Sequence, residues 1–211
     1  MVLELVSLCL LVVDKVFGSG GDPLADLNKI FEGARFIIEG LGLGNDQHTE
    51  KTAERMAKAL IELCYYHLYS DREPDVAVFE DQNYDELVVV KDIPFTSICS
   101  HHLLIFEGVV HVVYLPNGKI IGLSKIPRIV EYFARRPQVQ EYLVRDIADY
   151  IMDKIQPHGV MVVAEGRHSC AACRGIQKEH TFTTSAVRGI FREDRSIREE
   201  AYSLIYGKNS K

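Results

Sequence analysis

Two short runs of the chain crowd thiols and imidazoles together, Cys99-Ser100-His101-His102 and His168-Ser169-Cys170. The C-x-x-H pair Cys99 and His102 can grip one metal ion, and Cys170 can supply a third donor if the fold joins the two runs. Two thiolates and one imidazole suit Zn²⁺. Three protein ligands would leave a fourth position for water, the pattern of a catalytic zinc. His101 and His168 each stand within two residues of a proposed ligand without being needed as one. Imidazoles placed so can move protons near neutral pH. The competing reading makes Cys99 and Cys170 small buried apolar side chains and the histidines hydrogen-bonded structural groups. Cys9 and Cys64 lie in apolar helical stretches and fit that reading; His67, His111 and His180 lack such neighbours and read as structural.

A C-x-x-C pair, Cys170 and Cys173, complicates the picture, because that spacing often holds one metal jointly. Joined by Cys99 and His102 it would make a closed Cys₃His shell with no water to activate. An extended strand from Cys170 to Gly175 would instead put residues three apart on opposite faces, leaving the metal to Cys170 with Arg174 on the same side. The third cluster is basic: Ser124, Lys125 and Arg128 open a helix, and Arg174 and Lys178 follow Cys170. A helix N-terminus flanked by cations is an anion site in principle. No GxxxxGK loop occurs, so nucleotide phosphates would be held by side chains. From charge alone a solvated basic helix face is the stronger reading.

The elements that must position these groups follow from periodicity. Gly18 to Gly21 is a flexible break. Asp22 as cap and Pro23 at the first position predict a helix in which Leu24, Leu27, Ile30, Phe31, Ala34, Ile37, Ile38 and Leu41 follow helical spacing. A second is expected from Thr49 or Thr52 to before Pro74. Strands are expected over Leu87–Ile93 and Gly108–Leu115, then a short helix from Ser124 to Arg135 and a longer one restarted by Pro137. Val160–Ala164 and Gly175–Ala186 read as strands and Glu193–Tyr206 as a closing helix. The order is α+β with antiparallel hairpins rather than a βαβ repeat.

Composition sets the outer limits. In 211 residues, 24 Lys and Arg oppose 30 Asp and Glu, a net charge of −6 that argues against a general nucleic-acid binder. The chain is 47% apolar and 26% charged, so disorder is not expected. Five scattered cysteines, an odd number in a chain large enough to need no staples, suit a reducing, cytoplasmic compartment. Val2 to Val13 is almost wholly apolar, yet no basic residue precedes Lys15. The run also falls short of the roughly 20 residues that span a bilayer. It is expected to pack on a partner subunit, not to target or anchor.

Four motifs together make the chain similar to GTP cyclohydrolase I. They are Cys99-Ser-His-His102, Gly122-Leu-Ser-Lys-Ile-Pro-Arg128, Arg136-Pro-Gln-Val-Gln-Glu141 and His168-Ser-Cys-Ala-Ala-Cys-Arg-Gly175, with a weaker match at Thr52-Ala-Glu-Arg55. The resemblance runs from about Asp22 to Tyr206. It implies the tunnelling fold, an α+β unit whose antiparallel sheet closes a barrel only by oligomerisation, usually into a homodecamer, behind an N-terminal helical region. Residues 1–21 would be an extension, 22–85 helical and 86–211 the catalytic domain. It implies Zn²⁺ on Cys99, His102 and Cys170, and proton transfer by His101 and His168. Gln140 and Glu141 would meet the guanine edge; Ser124, Lys125, Arg128, Arg174 and Arg55 would hold ribose and triphosphate. The implied reaction opens the guanine ring of GTP to give 7,8-dihydroneopterin triphosphate and formate. Ser100 departs from the family's usual Glu, Ala53 and Ile105 from prolines, and Cys173 from Met or Ala. The alternatives are a non-catalytic zinc protein closed by Cys173, or a relative acting on another purine or pterin.

Overall fold

The structure, a computed structural model, describes residues 26–65, 73–80 and 84–207. The chain divides into two compact units, Met1–Arg72 and Glu73–Lys211. In the first, α1 (Leu27–Gly40) buries Leu27, Phe31, Ala34 and Ile38, the i, i+4, i+7 stripe expected of an amphipathic helix. Its cap is Asp26, whose carboxylate accepts from the Lys29 amide at 3.2 Å. The expected cap, Asp22 with Pro23, lies outside the described residues, as do Cys9, His67 and the apolar N-terminal run. Helix α2 (Thr52–Leu63) packs on α1 through Ala57 and Ile61.

The second unit is built on a five-stranded sheet in the order β5 (Pro137–Gln138), β2 (Val88–Cys99), β3 (Ile105–Leu115), β6 (Gly159–His168), β7 (Phe182–Gly189). A separate antiparallel pair joins β1 (Val78–Glu80) and β4 (Lys119–Ile121). The long strands are β2, β3, β6 and β7, each antiparallel to its neighbour. Both β2 and β3 extend beyond the β-branched runs that announce them. With β3 between them, β2 and β6 run the same way, so Cys99 and His168, their last residues, emerge at one end of the sheet.

Helices cover both faces. On one, α3 (Lys125–Ala134) packs on β2, and α4 (Gln140–Ile155) on β6 and β7. On the other lie α6, the turn Ile190–Glu193, and α7 (Arg195–Tyr206), the closing helix, while α5 is the single turn Ser169–Ala172 at the end of β6. Phe191, Ala201 and Ile205 from these last two meet Val113, Met161 and Val163 of the sheet. Asp194 caps α7 by accepting from the Ser196 amide at 2.7 Å. No described helix is long and apolar enough to cross a membrane.

Three expectations need correcting. Pro137 does not restart the helix: Pro137–Gln138 is β5, pairing parallel with Ile98 and Cys99, and α4 begins at Gln140. The strand expected over Gly175–Ala186 starts only at Phe182. The segment after Cys170 is not extended, because Ser169–Ala172 forms a helical turn with Cys173 at its C-cap.

Candidate active site

The site grows from the common end of β2 and β6. After Cys99 the chain turns sharply: the Leu103 amide donates to the Cys99 carbonyl at 2.8 Å and Leu103 takes a positive φ of 52°. That turn carries His101 and His102 back beside Cys99, with each Nδ1 near its Sγ, at 3.7 and 3.8 Å. From β6, the helical turn of α5 lifts Cys170 until its Sγ lies 4.0 Å from that of Cys99. The donor atoms of Cys99, His102 and Cys170 all fall within 4.8 Å of one another.

These spacings fit a zinc ion. Tetrahedral bonds of about 2.3 Å to sulfur and 2.0–2.1 Å to nitrogen imply edges of about 3.8 Å between two sulfurs and about 3.6 Å between sulfur and nitrogen. The observed 4.0 and 3.8 Å need to close by only a few tenths of an ångström, and the His102–Cys170 pair, within 4.8 Å, by at most about 1.2 Å. His101, though near Cys99, is outside this group of three, and so is Cys173, whose thiol donates to the Ser169 carbonyl at 2.8 Å. The expected separation of Cys170 from Cys173 by opposite strand faces rests on the wrong local structure. In the helical turn the two thiols are separated by the direction in which Cys173 points. Burial pushes the Cys170 thiol up, and the neighbouring Cys99 sulfur adds to this.

Beside the metal-capable trio opens a cleft of about 300 Å³ whose walls include His101, Gln140, Glu141, His168, His180 and Phe182. The parallel pairing of β5 delivers the start of α4 to this cleft: Cys99 lies opposite Gln138, and the Ser100 amide donates to the Gln138 carbonyl at 3.0 Å. Glu141, in the first turn of α4, is exposed to the cleft. His168 is stacked on Phe106, with centroids 4.4 Å apart and planes 6° from parallel. Burial lowers its basicity, while the Glu141 carboxylate draws it back up.

The remaining proposed residues are Ser124, Lys125, Arg128, Arg174 and Arg55. Ser124, Lys125 and Arg128 stand at the start of α3, beside the β1–β4 pair, and none of them lines the cleft. The Lys125 ammonium is 3.0 Å from the Asp75 carboxylate. Arg174 follows Cys170 closely enough to act on its thiol electrostatically. Arg55, in the first unit, donates to the His48 carbonyl at 3.2 Å. His180, read from sequence as structural, lines the cleft, with Nδ1 3.0 Å from the Lys178 carbonyl. Phe182 joins it there. Both sit on the Thr-rich segment after the C-x-x-C pair, and their nearness to the histidines in space, not in sequence, brings them in.

The family described as GTP cyclohydrolase I matches residues 31–206, nearly the whole described chain. The chain belongs to the GTP cyclohydrolase I family. GTP cyclohydrolase 1 of Thermoanaerobacter pseudethanolicus is 45% identical over 188 residues, covering 88% of this chain and 100% of that protein. GTP cyclohydrolase 1 of Acetivibrio thermocellus is 47% identical over 190 residues, with 88% and 100% covered. The namesake of Mycobacterium avium is 44% identical over 178 residues, covering 82% and 87%. The mixed helix and sheet architecture agrees with membership of this cyclohydrolase family.

Proposed function

We propose that this chain is a zinc-dependent GTP cyclohydrolase, opening the imidazole ring of GTP to release formate and form 7,8-dihydroneopterin triphosphate. The observation that carries this reading is the meeting of Cys99, His102 and Cys170 at the rim of a cleft that also holds His101, His168 and Glu141. Zinc on the three ligands would supply a Lewis acid that brings the pKa of a water down to about 7. His168 would hold a proton at guanine N7, which makes C8 electrophilic. Burial, the larger effect, lowers the basicity of His168 and makes it readier to give up that proton, while Glu141 opposes the shift. Glu141 would accept from guanine N1–H and the 2-amino group, so that a base lacking those donors leaves a carboxylate unpaired and is rejected. His101 would assist opening of the ribose.

The triphosphate contacts assigned to Ser124, Lys125 and Arg128 would be made to a substrate held in the cleft of a second copy of the chain. These residues open α3, and its ten residues rise about 15 Å before the chain returns to the cleft at Gln138. We therefore read the complete site as shared between subunits of a homo-oligomer, a decamer by family habit, with Arg174 and Arg55 as further phosphate contacts. A reducing, cytoplasmic setting suits the free thiols Cys99 and Cys170. Incubating the purified, zinc-loaded protein with GTP tests the reading. Stoichiometric formate and a pterin that fluoresces after oxidation are expected, and GTP recovered unchanged would reject it.

A further inference from the structure

Gln140 was expected at the guanine edge, yet its side chain is 1% exposed and wholly engaged by the protein. Its amide nitrogen lies 3.1 Å from the Ala164 carbonyl, 2.8 Å from the Phe182 carbonyl and 3.2 Å from the Thr184 hydroxyl. Its oxygen lies 2.9 Å from Nε2 of His168. The nitrogen can only donate, and two carbonyls face it, so the amide has one orientation and its oxygen must accept. His168 therefore carries its proton on Nε2, and Nδ1 is the nitrogen left to exchange a proton. Phe106 stacks on the ring and Phe182 meets it edge-on at 5.8 Å, so rotation is blocked as well. Gly166 completes the arrangement, since a Cβ there would collide with the Gln140 side-chain oxygen.

We propose that Gln140 is a positioning residue: it locks the ring orientation and tautomer of His168 and does not touch the base. The proposal rests on the proposed cyclohydrolase reading for its kinetic consequence, though not for the tautomer itself. A base held in place by a third group is the arrangement that general catalysis by imidazole requires. Reading the guanine edge would then fall to Glu141.

Three measurements test this in the zinc-loaded protein. Nitrogen-15 NMR of labelled histidine should show His168 with hydrogen fixed on Nε2 in the parent and a mixture of tautomers in Gln140→Met. A mixture in the parent overturns the proposal whether or not the protein converts GTP. In steady state, Gln140→Met should lower kcat on the order of 10²-fold with KM and the preference for GTP over ITP unchanged. A raised KM with relaxed preference and unchanged kcat would make Gln140 a base contact instead. Finally, adding Gln140→Met to His168→Ala should cost nothing further, because a residue acting through another has no effect once that other is gone. Equal losses in both backgrounds would refute the coupling. If Gln140→Met fails to fold, Gly166→Ala, which presses on the same oxygen, serves in all three measurements with the same expected and refuting results.

Discussion

Replacing Cys170 or Cys173 by Ser decides between an open and a closed metal site. Cys99, His102 and Cys170 already stand within 4.8 Å of one another, whereas the Cys173 thiol is turned back to the Ser169 carbonyl. Recruiting Cys173 would break that hydrogen bond and reorient the turn Ser169–Ala172. Cys170→Ser should therefore weaken zinc by more than the 10–100-fold that losing an outer partner of a ligand costs, roughly, in metal sites. Cys173→Ser should leave it within about threefold, since no ligand is touched. X-ray absorption on the parent and on Cys173→Ser should both give two sulfurs at about 2.3 Å with the remaining donors nitrogen or oxygen. The pH dependence has a fixed sign. Burial and the adjacent Cys99 sulfur hold the Cys170 thiol above its ordinary value, so its proton must leave when zinc binds, and affinity should rise with pH. Titration calorimetry in buffers of different ionisation enthalpy reads that proton directly. Three sulfurs in the parent, or zinc lost from Cys173→Ser, would mean a closed shell and would remove the open coordination position from the mechanism.

Shared sites predict complementation: Lys125→Ala and His168→Ala, each reduced to a small measurable residue of activity alone, should regain up to about a quarter of parental activity when dissociated and reassembled in equal amounts, if sites in the symmetric assembly draw on two chains. No recovery in verified mixed oligomers would place both residues in one chain's site. Glu141→Ala should relax discrimination against ATP and ITP by about 1.5–3 kcal/mol per lost charge-assisted hydrogen bond, and competition assays showing unchanged selectivity would count against its role. His111 is buried, its Nδ1 accepting from the Asp92 amide at 3.1 Å and its ring 5.6 Å from that of Tyr206, which donates to Glu165. Burial lowers its pKa, against the pull of the Asp92 and Glu165 carboxylates and with the Lys91 charge. The unfolded chain thus binds the proton first, and stability present above about pH 6.5 should fall as pH drops toward the lowered folded value. Denaturation at several pH values should show a shallower acid decline in His111→Phe, and parallel curves would sink the assignment.

Much of the site was legible because its chemistry is local. Cys99 and His102 need one tight turn to meet, and the C-x-x-H spacing announces it; the β-branched runs announce β2, β3 and β6, of which β2 ends at Cys99 and β6 two residues before Cys170. The basic residues were visible as a cluster, but their separation from Cys99, His102 and Cys170 was not, because it depends on which way α3 runs along the sheet. That direction is set by β4 and β5, strands of three and two residues, too short to show alternation. Their pairing is decided by tertiary contact.

Gln140 marks the deeper limit. In sequence it stands beside Glu141 at the start of a helix, and both are polar residues of a kind that reads base edges. The backbone separates them: one step along α4 turns a side chain by about 100°, from the cleft into the sheet. Gly166 leaves the space and Ala164, Phe182 and Thr184 supply the acceptors, all on strands β6 and β7 and remote in sequence from Gln140. A buried amide can be tolerated there only because every polar atom is met, and meeting them fixes its orientation. The same constraint that makes the residue compatible with a folded interior gives His168 a single tautomer, so stability and the proposed proton transfer would depend on one set of hydrogen bonds.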